Sequence, residues 1–185
     1  MLKELILFIA VILIAFVFFR KSERMLGGNE KKALELGFGG IITIPPDFDV
    51  TAVDIEEYSP DKIEDPEKRH IRVVKSDMEG FCEGEYDLIK MRNSWHYVIN
   101  YKKMLEHLKK MLKSDGVIFI REPGAKGRWM DPRLNSDSAE FKPRLLELKM
   151  NDIYRARNAL LLQNYFNVEE TQREDEGFNY KLTHK

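Results

Sequence analysis

The chain has 185 residues, a formal net charge of −1 and a single cysteine, Cys82. A near-zero charge supplies no global field for polyanions, so no nucleic-acid partner is expected. One sulfur excludes an internal disulfide and a thiolate zinc site, and no metal centre is expected.

Residues 5–19 read LILFIAVILIAFVFF, with no polar side chain. As a helix they span roughly 22 Å, against a hydrocarbon core of ~30 Å. Met1 and Leu2 lengthen the apolar stretch, and Lys3 and Arg20 can snorkel from its ends. A cleaved signal peptide would need small residues after the apolar core, where Phe18, Phe19 and Arg20 stand. A buried helix of a soluble protein would need a core surrounding it on all sides. Residues 1–24 therefore read as a single-pass anchor with a basic flank, and the bilayer is an expected partner. Arg20, Lys21 and Arg24 follow the span, so the positive-inside rule puts the rest of the chain on the cytoplasmic side of the cell membrane. Residues 25–32, with Gly27-Gly28-Asn29, read as a linker, leaving 33–185 as one domain.

Strands are expected over residues 33–36, 50–55, 71–75, 86–91 and 117–120. An amphipathic helix is expected over 101–113, with Met104, Leu105, Leu108, Met111 and Leu112 on one stripe and Ser114-Asp115-Gly116 as its stop. A second long helix follows over 144–162. Two closing strands lie over 164–170 and 178–183, joined by a charged turn. Strands alternating with helices imply an α/β fold with a mostly parallel sheet, covered on both faces, and a ligand at the carboxyl ends of its strands.

The residues that carry chemistry cluster at those strand ends. Glu35-Leu-Gly37-Phe-Gly39-Gly40 closes the first strand, where glycine lets backbone approach a ligand. Asp54 closes the second, and a carboxylate there can accept both hydroxyls of a ribose. Asp77 follows the third, within reach of an adenine amino group, and Asn93-Ser94-Trp95-His96 follows the fourth.

The order ELGFGG, VTAVDI, SDME, YDLIKMRNSWHYV, MLKSDGVIFIREPG resembles the motifs of class I S-adenosylmethionine-dependent methyltransferases. The C-terminal NYFNVEETQREDEGFNYKLTHK is similar to their closing strand pair, and the match runs from about Lys32 to the end. The resemblance implies a Rossmann-like seven-stranded sheet whose last strand is antiparallel, with S-adenosylmethionine as cofactor. It places Glu35, Gly37 and Gly39 beside the methionine moiety, Asp54 at the ribose and Ile55 near the adenine. Asp77 and Met78 would flank the adenine, and Asn93 would sit close to cofactor and acceptor. The acceptor is a small molecule, lipid or protein. In this family the cofactor carries the reactive methyl, so a base is needed only for an acceptor that must lose a proton, and His96 is the candidate.

Two departures stand out. Ile41 occupies a position where the family usually carries a further glycine, and Pro45-Pro46 interrupts a stretch too short for the usual helix after the loop. A nicotinamide-type dehydrogenase fits less well, because its G-x-G-x-x-G fingerprint would need glycine where Ile42 stands. The alternative is a non-catalytic methyltransferase-like interaction module that has lost cofactor binding. For several residues a bland role competes: His96 as an exposed or hydrogen-bonded loop histidine, Trp95 as core, Glu122 as a loop cap. Lys90 and Arg92 are read either as acidic-substrate ligands or as cations whose aliphatic stems are buried.

Overall fold

The computed structural model describes residues 31–65, 70–122, 151–172 and 177–185. The expected anchor over 1–24, most of the linker and the 124–143 insertion lie outside the described residues. Among the described residues no helix is long and apolar enough to cross a membrane. Lys31 and Lys32 already belong to the first strand, and chain contacts separate Met1–Glu30 from Lys31–Lys185.

Seven strands form one sheet: β1 Lys31–Leu36, β2 Phe48–Asp54, β3 Ile71–Lys75, β4 Tyr86–Arg92, β5 Leu112–Glu122, β6 Phe166–Gln172 and β7 Phe178–His184. Helix α1 spans Tyr101–Met111 and α2 spans Asn151–Gln163. The spatial order is β3-β2-β1-β4-β5-β7-β6. Strands β1 to β5 pair in parallel, and β7 inserts antiparallel between β5 and β6. The expected Rossmann-like sheet with an antiparallel end is thus present.

Side chains alternate between the two faces of a strand, and the sheet sorts them accordingly. Leu34, Leu36, Ile89, Met91, Ile118, Ile120, Tyr180 and Leu182 pack with Met104, Leu105, Leu108 and Met111 of α1 and Leu162 of α2 in the larger core. The smaller core joins Ala33, Val50, Ala52 and Leu88 to Phe38, Ile42 and Ile44. Among the described residues, loop side chains and not a helix therefore cover the second face at β1 and β2.

The stretch after the glycine loop is too short for a helix, as its sequence implies, and two boundaries differ from expectation. No helix forms over residues 41–44, and Ile41 is bridged to Glu64. The proline pair removes donors and disfavours helix before it, so the crossover closes as a strap. Helix α1 ends at Met111, because Leu112 adopts an extended conformation and pairs with Tyr86. β5 consequently begins five residues early, with a register shift between Tyr86 and Leu88. Gly116, expected to stop the helix, lies inside β5 instead. A Cβ there would fall 2.7 Å from Leu112 Cδ1 and 2.9 Å from the Tyr86 carbonyl, so only glycine fits. α2 is described from Asn151; the expected residues 144–150 lie outside the described set.

Candidate functional site

The carboxyl ends of β1, β2 and β4 meet at Gly37. Its φ is +65°, and a Cβ would sit 2.5 Å from Ser94 Cβ and 3.7 Å from Met78 Cε. The Ser94 hydroxyl donates to the Leu36 carbonyl at 2.9 Å, tying the end of β4 to that of β1. Gly37 N–H donates to the Val53 carbonyl at 2.8 Å. A side chain at 37 would both strain the backbone and separate these strand ends.

Gly39 differs from its neighbour. Its φ is +61°, yet a Cβ there would meet no atom within 4 Å. Its N–H donates to Asp54 Oδ2 at 2.9 Å, while Glu56 N–H donates to Oδ1 at 3.1 Å. Asp54 is buried, and the acid that closes β2 thus anchors the glycine loop that closes β1. Each carboxylate oxygen has capacity for a second donor. Ile55 follows, 66% exposed, an apolar surface beside that acid. An open glycine, a strand-end carboxylate and an exposed isoleucine fit a ligand with hydroxyls next to a flat apolar ring.

Glu35 is fully buried beneath the strap. Thr43 donates to it twice, from N–H at 2.9 Å and from Oγ1 at 2.5 Å. Burial pushes its carboxyl above the usual carboxylate range, against the Thr43 hydrogen bonds and the charges of Lys90 and Arg92. Lys90 donates from Nζ to the Thr43 carbonyl at 2.7 Å, so β1 and β4 grip the strap at one residue. Thr43 carried no sequence signal, because its role depends on two strands that meet it only in the fold.

Asp77 is exposed, and its Oδ1 accepts from Glu79 N–H at 3.2 Å in a local turn. Met78 is half-buried against the larger core. Asn93 is exposed in the left-handed region, φ +56°, with its N–H donating to the Arg121 carbonyl at 2.7 Å. A short side-chain amide tolerates that conformation better than most residues. Glu79 accepts from Ile99 N–H and, at 2.9 Å, from Asn100 N–H; Asn100 itself caps α1 through Lys103 N–H at 3.0 Å.

His96 is buried rather than exposed and is hydrogen-bonded, its Nδ1 2.9 Å from Glu122 Oε2. Glu122 closes β5 and has no exposed surface. Trp95 is fully buried and sits against Tyr101 with ring centroids 5.2 Å apart, which is the core role. Gly37, Gly39, Asp54, Met78 and Ser94 are thus assembled together. Glu35 lies below them, and His96 joins Glu122.

The sequence matches a family described as "Methyltransferase domain" over residues 24–185. The chain belongs to this family. No curated protein matches it. Solved structures agree in fold. A SAM-dependent methyltransferase from Aquifex aeolicus superimposes with TM-score 0.58 at 18% identity, covering 86% of this chain and 87% of that one. The plantazolicin methyltransferase BpumL, in complex with SAH, gives 0.51 at 14% identity, covering 84% and 76%. The N-methyltransferase NodS from Bradyrhizobium japonicum, in complex with S-adenosyl-L-homocysteine, gives 0.51 at 16%, covering 83% and 78%. At these identities the likeness is one of fold. Family and fold together support S-adenosylmethionine as the cofactor of this methyltransferase domain.

Proposed function

We propose that the chain transfers the methyl group of S-adenosylmethionine to an acceptor while tethered to the cell membrane by residues 1–24, its methyltransferase domain in the cytoplasm. The observation that carries methyl transfer is the hydrogen bond from Gly39 to Asp54, which sets an open glycine and a strand-end acid side by side. The tether rests on the apolar run over 5–19 and the cations after it.

The cofactor, when bound, supplies an electrophilic methyl group. Asp54 would hold the ribose hydroxyls, Ile55 and Met78 the adenine, and the open face of Gly39 would admit the backbone side of the ligand. Asp77 and Asn93 would complete the rim. Ser94 and Gly37 keep the strand ends at fixed separation, so the chain contributes placement. His96 would take a proton from an acceptor that must lose one. Its Nδ1 lies 2.9 Å from Glu122 Oε2, which would orient the ring.

Calorimetry with S-adenosylhomocysteine on the full chain in mild detergent tests the reading. Charge-assisted hydrogen bonds contribute roughly 1.5–3 kcal/mol each, so Asp54→Ala should weaken binding at least about tenfold. Asp54→Asn, which keeps one oxygen for the Gly39 N–H, separates ribose contact from loop support: it too should bind weakly, but melt close to wild type. No binding by wild type would instead favour the non-catalytic module.

A further inference from the structure

Glu79 stands in the turn after β3 and is buried. One oxygen of its carboxylate, Oε1, accepts from Ile99 N–H and, at 2.9 Å, from Asn100 N–H. Both donors lie where residues 93–100 give way to α1. A helix N-terminus offers unpaired N–H groups and favours negative charge, so an acid suits the place. Yet Asn100 already caps α1 through Lys103 N–H. What Glu79 adds is a tie to a turn 20 residues upstream of Ile99.

That turn is built on Asp77. Gly80 N–H and Phe81 N–H donate to the Asp77 carbonyl at 3.0 and 3.1 Å, and Glu79 N–H donates to Asp77 Oδ1 at 3.2 Å. Asp77 is exposed. Met78 beside it packs on the larger core, its Cε 3.7 Å from where a Gly37 Cβ would stand. A ligand that takes the Asp77 carboxylate therefore acts on the group that fixes the Glu79 backbone.

Residues 93–100 are fastened at both ends by different means. At the start, Asn93 N–H donates to the Arg121 carbonyl, the Ser94 hydroxyl donates to the Leu36 carbonyl, and His96 pairs with Glu122. These partners belong to β1 and β5, whose positions are set by pairing with β4. At the other end, Glu79 makes its two bonds from a turn whose shape depends on the exposed Asp77. A ligand shifts a segment it does not touch only through contacts that differ between two arrangements. The link from Asp77 to Glu79 to Ile99 and Asn100 supplies such contacts.

We propose that Glu79 is a positioning residue: a cofactor seated on Asp77 and Met78 fixes, through Glu79, the residues 93–100 that bring Asn93 and His96 to the acceptor. Binding energy from the non-reacting adenine end is thereby used for orientation where the methyl group is transferred. The assignment rests on the methyl-transfer reading of the cleft.

Amide hydrogen exchange of the full chain in mild detergent tests it, with S-adenosylhomocysteine as the probe and calorimetry to establish saturation. Tyr97 and Val98 are the reporters, because their N–H groups donate to the Ser94 and Trp95 carbonyls and not to Glu79. In wild type, saturating ligand should slow both amides at least about tenfold, the worth of one charge-assisted hydrogen bond. Glu79→Ala should abolish the slowing. Glu79→Gln keeps an oxygen for both donors and should restore most of it, which guards against a misfolded alanine variant. If Glu79→Ala raises exchange equally with and without ligand, so that the slowing persists, Glu79 is a helix cap only and the proposal is overturned. Binding to wild type without slowing also overturns it, and leaves the methyl-transfer reading standing. No binding to wild type removes that reading, and the coupling with it.

Discussion

The two halves of the sheet are built by different means. From β4 onward, helices close the crossovers: α1 and α2 lay Met104, Leu105, Leu108, Met111 and Leu162 on the strands, and apolar interdigitation holds them. From β1 to β2, residues 37–47 make the parallel crossover without a helix, although such connections usually use one. Polar ties take its place. Asp54 holds Gly39, Glu35 holds Thr43, Lys90 holds the Thr43 carbonyl, and Glu64 donates to the Gly40 carbonyl and accepts from Ile42 N–H. A packed helix is fastened by many weak contacts, so no single polar group matters much. A strap is fastened by a few directional ones beside the apolar contacts of Phe38, Ile42 and Ile44, and the acids that serve it stand at the strand ends where a ligand must bind. In this half, support and recognition fall on the same residues.

The largest effect should come from the helix-backed half. Leu105 has no exposed surface, and Leu105→Ala opens a cavity in the larger core. The expected loss is about 2–5 kcal/mol, read as a lower midpoint in denaturant. S-adenosylhomocysteine affinity, measured where the variant is still folded, should not change. If it did, the two halves would not be separable.

Gly37→Ala strikes the junction between them. The left-handed backbone costs an L-residue roughly 1–2 kcal/mol, and the overlap with Ser94 Cβ adds to it. Both stability and cofactor affinity should fall. Gly39→Ala shares the backbone cost but has open space for its methyl, so it should be the milder of the two in thermal melting. Equal losses would mean that Ser94 moves aside freely.

The smallest effect is a pH dependence confined to the strap. Glu35 has a folded-state pKa above its ordinary 4.5, chiefly through burial, so the folded state holds its proton more tightly than the unfolded one. Its contribution is fully present below the ordinary value and is lost as pH rises through the raised one. Glu35→Gln keeps an acceptor for Thr43 N–H and cannot ionise. The melting temperatures of variant and wild type should coincide in acid, and the variant should gain as pH rises above the usual carboxylate range. A constant difference across pH would show that ionised Glu35 is fully compensated by Lys90 and Arg92.

Much of this molecule is legible along the chain. β-Branched runs such as VTAVDI mark strands, and the spacing of Met104, Leu105, Leu108 and Met111 marks one helical face; both patterns are local. The glycine loop and the acid at the end of β2 are read the same way, because a strand end is visible in sequence. What the tertiary structure decided are the pairings between distant residues. Ser94 meets Leu36, and His96 meets Glu122, only because β4 lies between β1 and β5. The early start of β5 depends on Leu112 finding Tyr86, which overrides the helical stripe that includes Leu112. Glu35, a plausible ligand by position, is turned under the strap because alternation along β1 sends it to the face that Phe38, Ile42 and Ile44 cover.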